Sequence, residues 1–139
     1  MEELYSIYAT AYGGQEGTVR SPNLKLNYQT PVELTDQPTP STGTNPEELL
    51  ACAYSICFQH ALRQAFQVEN MEEKETEVTS HVSLSADKDD VGNQLSIIID
   101  VKILGVIKEE AQVLIERAHN FCTFRKAFGD NIPVQVRRI

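Results

Sequence analysis

The stretch from Leu49 to Phe66 limits the possible folds more than any other part of the chain. Asn45 is a good N-cap, Pro46 suits the first helical position, and Glu47 and Glu48 complement the positive end of a helix dipole. A helix is therefore predicted from Pro46 to about Gln67. Its apolar residues (Leu49, Leu50, Ala53, Tyr54, Ile56, Phe58, Ala61, Leu62, Ala65 and Phe66) cover nearly the whole circumference. A helix apolar all round is enclosed rather than half-solvated. In a chain of 139 residues the easiest enclosure is a sheet on one side and a second subunit on the other. Gln59, His60, Arg63 and Gln64 interrupt the run, so it does not read as a membrane span.

The flanking segments read mostly as strands. Leu4 to Tyr12 alternates Tyr, Ile and small residues like a half-buried strand, and the three glycines of Gly13-Gly14-Gln15-Glu16-Gly17 then break it. Thr18 to Ser21 and Leu24 to Thr30 form two more short strands, and Pro31 to Gly43, with three prolines, is a loop. Glu77 to Ala86 and Gln94 to Leu104 make a hairpin about a turn at Asp87–Asn93. Lys108 to Cys122 carries apolar residues at helical spacing, and Ile132 to Ile139 is a last strand. This order lacks regular βαβ alternation and favours a single α+β domain over residues 1–139, with mainly antiparallel sheets.

Composition removes several classes of function. A net charge of −8 leaves no basic stripe to displace counterions from a nucleic acid. Met1-Glu2-Glu3-Leu4-Tyr5 does not resemble a signal peptide, and three cysteines without export machinery point to a reducing cytoplasm. His60, His81 and His119 fall on separate elements, and the cysteines lack the close pairing of structural zinc sites, so no metal is expected.

Cys57 lies deep in the apolar helix, and Cys122 closes the second amphipathic segment. A thiol on each of two helices that can pack together is the minimum equipment for a peroxide-reducing dithiol. Cys52 is five residues before Cys57, roughly 140° round the helix, and reads as core filler facing elsewhere.

The string Gly43-Thr44-Asn45-Pro46-Glu47-Glu48-Leu49-Leu50-Ala51, followed by Ala53-Tyr54-Ser55-Ile56-Cys57-Phe58, resembles the first signature of the OsmC/Ohr family of organic hydroperoxide resistance proteins. Ala118-His119-Asn120-Phe121-Cys122, with Gly129-Asp130-Asn131-Ile132-Pro133-Val134 after it, is similar to the second, and the glycine-rich turn at Gly13 points to the Ohr branch. The resemblance implies an intertwined α+β homodimer with long buried central helices and two sites at the subunit interface. It implies that Cys57 is the peroxidatic thiol, Cys122 the resolving thiol and Glu47 the acidic member of the site. The implied substrates are organic or fatty-acid hydroperoxides, and the implied reductant is an external dithiol such as a lipoylated protein, with no other cofactor. Three positions depart from the family pattern. Gln15 stands where the Ohr branch has an arginine, Thr123 and Phe124 replace a proline and a tyrosine, and Cys52 replaces a small alanine.

The first departure matters most, because the thiolate is the nucleophile and burial favours the neutral thiol. Cys57 is about three turns from Asn45, beyond reach of the helix dipole, so a cation must come from elsewhere. Gln15 donates hydrogen bonds but has no charge. Arg20 is one candidate, otherwise a solvated strand charge; His60, one turn after Cys57, is the other, otherwise an interface histidine. Glu47 precedes Cys57 by ten residues, roughly 15 Å of rise in an unbroken helix, so it would approach Cys57 only across a dimer interface. Tyr54, Phe58 and Phe121 are candidates for the walls of an apolar substrate pocket. The competing reading is a non-catalytic homologue that binds a small apolar ligand, with its thiols idle.

Overall fold

Two short polar contacts start the longest helix of the chain. Asn45 Oδ1 accepts from the Glu48 backbone N–H at 2.8 Å, and Thr44 Oγ1 donates to Glu48 Oε1 at 2.8 Å. This is the capping expected of Asn45, and the helix then runs unbroken as α1, Pro46–Val68. The computed structural model describes residues 1–36 and 42–139, so residues 37–41 of the expected loop lie outside the described residues. The backbone divides into two compact units, residues 1–49 and 50–139.

In the first unit, β1 (Thr10–Gly13), β2 (Glu16–Arg20) and β3 (Lys25–Gln29) form an antiparallel sheet in that order. Its first turn depends on glycine: Gly13 has φ of 119°, and a Cβ at Gly17 would lie 1.9 Å from the Tyr12 carbonyl oxygen. The Tyr28 hydroxyl donates to the carbonyl of Gly14 at 3.0 Å, tying β3 to the turn. The expected strand from Leu4 shrinks to Thr10–Gly13. The partner β2 ends at Arg20, opposite Thr10, so no hydrogen-bonding edge remains for residues before it. Leu4, Tyr5, Ile7 and Tyr8 consequently stand exposed.

The second unit is a three-stranded sheet with helices on one face. β4 (Thr76–Ala86) and β5 (Asn93–Ile103) pair antiparallel over eleven residues each, as the alternation predicts. β6 (Val134–Arg138) pairs with β5 in parallel, which makes this sheet mixed rather than antiparallel throughout. A parallel neighbour needs a long crossover, supplied here by α2 (Lys108–Phe121) and α3 (Thr123–Phe128). α3 was not anticipated. The mixed α+β architecture itself agrees with the reading of the element order.

The core of this unit joins one stripe of α1 (Tyr54, Phe58, Ala61, Leu62, Ala65, Phe66) to Ile97, Ile99 and Val101 of β5 and to Leu114 and Ala118 of α2. Among the described residues of this unit α1 is thus covered on one side only. Ile56 is 58 % exposed, and Cys52, read as core filler, is exposed as well because it lies outside the buried stripe. Among the described residues, no helix is long and apolar enough to cross a membrane.

On the other face of β5, Asp100 is buried between Arg137 and His81. Arg137 of β6 donates from Nε to Oδ1 at 2.7 Å and from Nη2 to Oδ2 at 2.9 Å, and His81 Nε2 of β4 lies 3.0 Å from Oδ2. The Arg137 hydrogen bond, more than anything else, holds the Asp100 carboxyl below its ordinary value. A carboxylate with a depressed pKa stabilises the fold above the unfolded value, about 3.9. That contribution disappears as pH falls through the lower folded value. Asp100→Asn should therefore lower the urea midpoint at neutral pH and remove part of the loss of stability between about pH 4 and more acidic conditions.

Candidate active site

Cys57 and Cys122 face each other at 3.5 Å between sulfurs, and both are free thiols. Their elements explain the approach. Cys57 directly precedes Phe58 and lies one turn from Tyr54 and Ala61, all buried in the core, so the rotation of α1 turns it toward α2. Cys122 ends α2, where its N–H donates to the Ala118 carbonyl at 2.9 Å, and it is the N-cap of α3. Cys57 is half-buried and Cys122 is 1 % exposed.

A disulfide needs a sulfur separation of about 2.05 Å, so a bond requires closure of roughly 1.5 Å, within reach of side-chain rotation. Burial pushes the Cys122 thiol up, and the neighbouring Cys57 adds to this. The backbone N–H groups of Arg125 and Phe124 pull the other way. Cys57 Sγ has one polar contact among the described residues, and it is Cys122.

Aromatic rings close this site from below. Tyr54 packs against Phe124 at 5.4 Å and Phe128 at 6.1 Å between ring centroids, which fastens α3 onto α1. The Tyr54 hydroxyl is buried without a hydrogen-bond partner among the described residues. His119, one turn before Cys122, has a buried and unpartnered Nδ1. Burial, and then the charge of Arg125, hold its imidazole below the ordinary value, so it is neutral at physiological pH. Arg125 and His119 line a cavity of about 670 Å³ together with Gln94, Asp130 and Asn131. Arg125 is not singled out by the sequence, and His119 enters there only within the second signature and as a discounted metal ligand. Arg125 follows Cys122 by three positions, a helical neighbour spacing, but it becomes meaningful only once α3 is known.

The remaining candidates stand as follows. Tyr54 and Phe58 have no exposed surface, and Phe121 is half-buried. His60 is exposed, lines a cavity of about 390 Å³ with Arg63, Gln64 and Gln67, and has no hydrogen bond to Cys57. In the first unit, Gln15 donates from Nε2 to Thr35 Oγ1 at 3.3 Å. Arg20 lies over the Tyr12 ring at 5.8 Å, in keeping with an exposed strand cation. Glu47 occupies the first turn of α1, and the unbroken helix preserves the ten-residue separation from Cys57.

A family model described as OsmC-like protein matches residues 38–137. The chain belongs to the OsmC family. It is 36 % identical to the organic hydroperoxide resistance protein OhrA of Bacillus subtilis over 97 % of this chain and 96 % of the relative. The crystal structure of an organic hydroperoxide resistance protein, OsmC, from Legionella pneumophila superimposes with a TM-score of 0.91 at 32 % identity, over 99 % of this chain and 98 % of that one. An organic hydroperoxide resistance protein from Elizabethkingia anophelis, with thiocyanate bound, gives 0.90 at 36 % identity over the same shares. The likeness therefore spans both signatures and the connecting hairpin.

The sulfur approach has a direct consequence in this OsmC-family chain. Mild oxidation with diamide should produce a Cys57–Cys122 link, found by non-reduced peptide mapping, with the far-ultraviolet circular dichroism unchanged. A dominant link through Cys52 would contradict the arrangement.

Proposed function

We propose that the chain is a thiol-dependent peroxidase that reduces organic hydroperoxides to alcohols. The observation that carries this reading is the 3.5 Å approach of two free sulfurs inside an apolar shell. Similarity to proteins named for organic hydroperoxide resistance supports it.

In the proposed cycle the Cys57 thiolate attacks the distal oxygen of the hydroperoxide. The sulfur–oxygen bond forms as the oxygen–oxygen bond breaks, and the departing alkoxide takes a proton to become the alcohol. Cys57 is left as a sulfenic acid. Cys122 then condenses with it, giving a disulfide and water and sparing Cys57 from further oxidation. An external dithiol, such as a lipoylated protein, restores both thiols by exchange and leaves as its own disulfide. Of the apolar residues around the pair, the half-buried Phe121 is open to an alkyl or fatty-acyl tail, whereas Tyr54 and Phe58, with no exposed surface, back it from inside the core.

The working form in this proposal is a cytoplasmic homodimer. Ile56 and the N-terminal Leu4, Tyr5, Ile7 and Tyr8 are large apolar side chains left uncovered within one chain, and a second copy would bury them. Glu47 of one copy would then serve the Cys57 of the other. Gln15 favours a second reading, a non-catalytic dimer holding a small apolar ligand, because it offers no charge to the thiolate and is already bonded to Thr35.

Incubation with cumene hydroperoxide, followed by thiol titration and peptide mapping, separates the two readings. Rapid consumption with a Cys57–Cys122 bridge supports the peroxidase, whereas unchanged thiols leave only the binding protein. Cys57→Ser should abolish turnover. Cys122→Ser should permit a single turnover and then accumulate sulfinic acid, read by intact mass. Gln15→Arg should raise the rate by about tenfold for each unit by which it lowers the thiol pKa, and no gain would mean that another group already serves.

A further inference from the structure

Among the described residues, the proposed cycle leaves two buried polar atoms without a task, His119 Nδ1 and the Tyr54 hydroxyl, and the second is on the same helix as Cys57. Tyr54 has no exposed surface, and its hydroxyl lacks a hydrogen-bond partner among the described residues. A buried hydroxyl in that state costs stability, and phenylalanine would fill the same space without the penalty. Its position accounts for its presence. Tyr54 lies three residues before Cys57 on α1, so the two side chains are neighbours on the helix surface. Its ring is held by Phe124 and Phe128 of α3, the helix that Cys122 caps. The phenol is therefore clamped between the elements that carry the two sulfurs, themselves 3.5 Å apart.

A neutral thiol is a weak acceptor, whereas an ionised sulfur accepts a strong, charge-assisted hydrogen bond. We infer that the Tyr54 hydroxyl is a catalytic residue, the hydrogen-bond donor to the negative charge that develops on the Cys57–Cys122 sulfur pair. This deepens the peroxidase reading and rests on it for the catalytic role, but not for the interaction with the ionised thiol. Burial, more than anything else, and then the nearby Cys122 and Cys57 sulfurs oppose ionisation of the phenol itself, with the charge of Arg125 working the other way. Tyr54 thus stays protonated at neutral pH and acts as a donor, not a base. No proton leaves it during the cycle: the alkoxide is protonated by water, and Tyr54 only stabilises the sulfur charge before attack. A neutral donor at this point meets part of the requirement that Gln15, in place of an arginine, leaves open.

Tyr54→Phe removes one oxygen and keeps the ring contacts. The expected result is an unchanged or higher thermal midpoint, because an unpartnered hydroxyl has been deleted. The pH profile of iodoacetamide alkylation, mapped by peptide mass to Cys57 and Cys122 separately, should shift the lower thiol pKa up by about one unit. The rate with cumene hydroperoxide at neutral pH should fall by about tenfold, the equivalent of that shift. A lower thermal midpoint with an unchanged alkylation profile would make the hydroxyl structural and overturn the inference. If the unaltered protein consumes no hydroperoxide, the peroxidase reading fails, while the alkylation profile still decides whether Tyr54 supports a thiolate. Should Tyr54→Phe not fold, carbon-13 resonances of ring-labelled tyrosine in the unaltered chain give the answer. The Tyr54 signal must move with the thiol titration, and a flat profile overturns the inference.

Discussion

Everything chemical in this chain depends on how one apolar stripe of α1 sets the rotation of that helix. Tyr54, Phe58, Ala61, Leu62, Ala65 and Phe66 bind α1 to β5 and α2. In a close-packed interior such residues have little freedom to drift. Cys57, at the edge of the stripe, is carried to within 3.5 Å of Cys122 as a by-product of hydrophobic burial. No hydrogen bond or ion pair is needed to bring the sulfurs together, and a small side-chain movement suffices to bond or release them.

The same burial creates the electrostatic difficulty of the site. Apolar surroundings hold the Cys122 thiol in its neutral form, and the chain as a whole carries a charge of −8. Several of its arginines are already committed to carboxylates: Arg137 to Asp100, Arg117 to Glu69 and Arg63 to Glu73. Arg20 is occupied above the Tyr12 ring. What the neighbourhood of the sulfurs does offer is the N–H groups at the start of α3, the phenol of Tyr54 and the charge of Arg125, which acts on both Tyr54 and His119. Preorganised neutral donors are effective in a low-dielectric setting, because they pay no reorganisation cost when charge appears.

Several features were legible from residues alone because their causes are local. Asn45, Pro46 and the two glutamates start α1 where they should, and the alternation of Val78, Ser80, Val82 and Leu84 marks β4 correctly. Other features were not. α3 is six residues long, too short for periodicity to reveal, and sits between Cys122 and a turn that opens at Gly129. The N-terminal alternation has the pattern of a strand, but β2 ends opposite Thr10 and pairs with nothing before it. Cys52 looked like filler because the helix is apolar all round, whereas only its position relative to the sheet decides that it faces outward. Arg125 has no local signature, and His119, though part of the second signature, gains meaning only through what lies beside it.

Taken alone, the order of residues determined the α+β class, the extent of the long helix, the central hairpin and the family membership. Each follows from short-range periodicity, capping or a contiguous signature. Tertiary structure decided the separation of the two sulfurs, the parallel placement of β6, the face of α1 left uncovered and the burial of the Tyr54 hydroxyl. These depend on the relative rotation and offset of elements far apart in sequence, which are set by how their side chains interlock and not by any one segment's own preference.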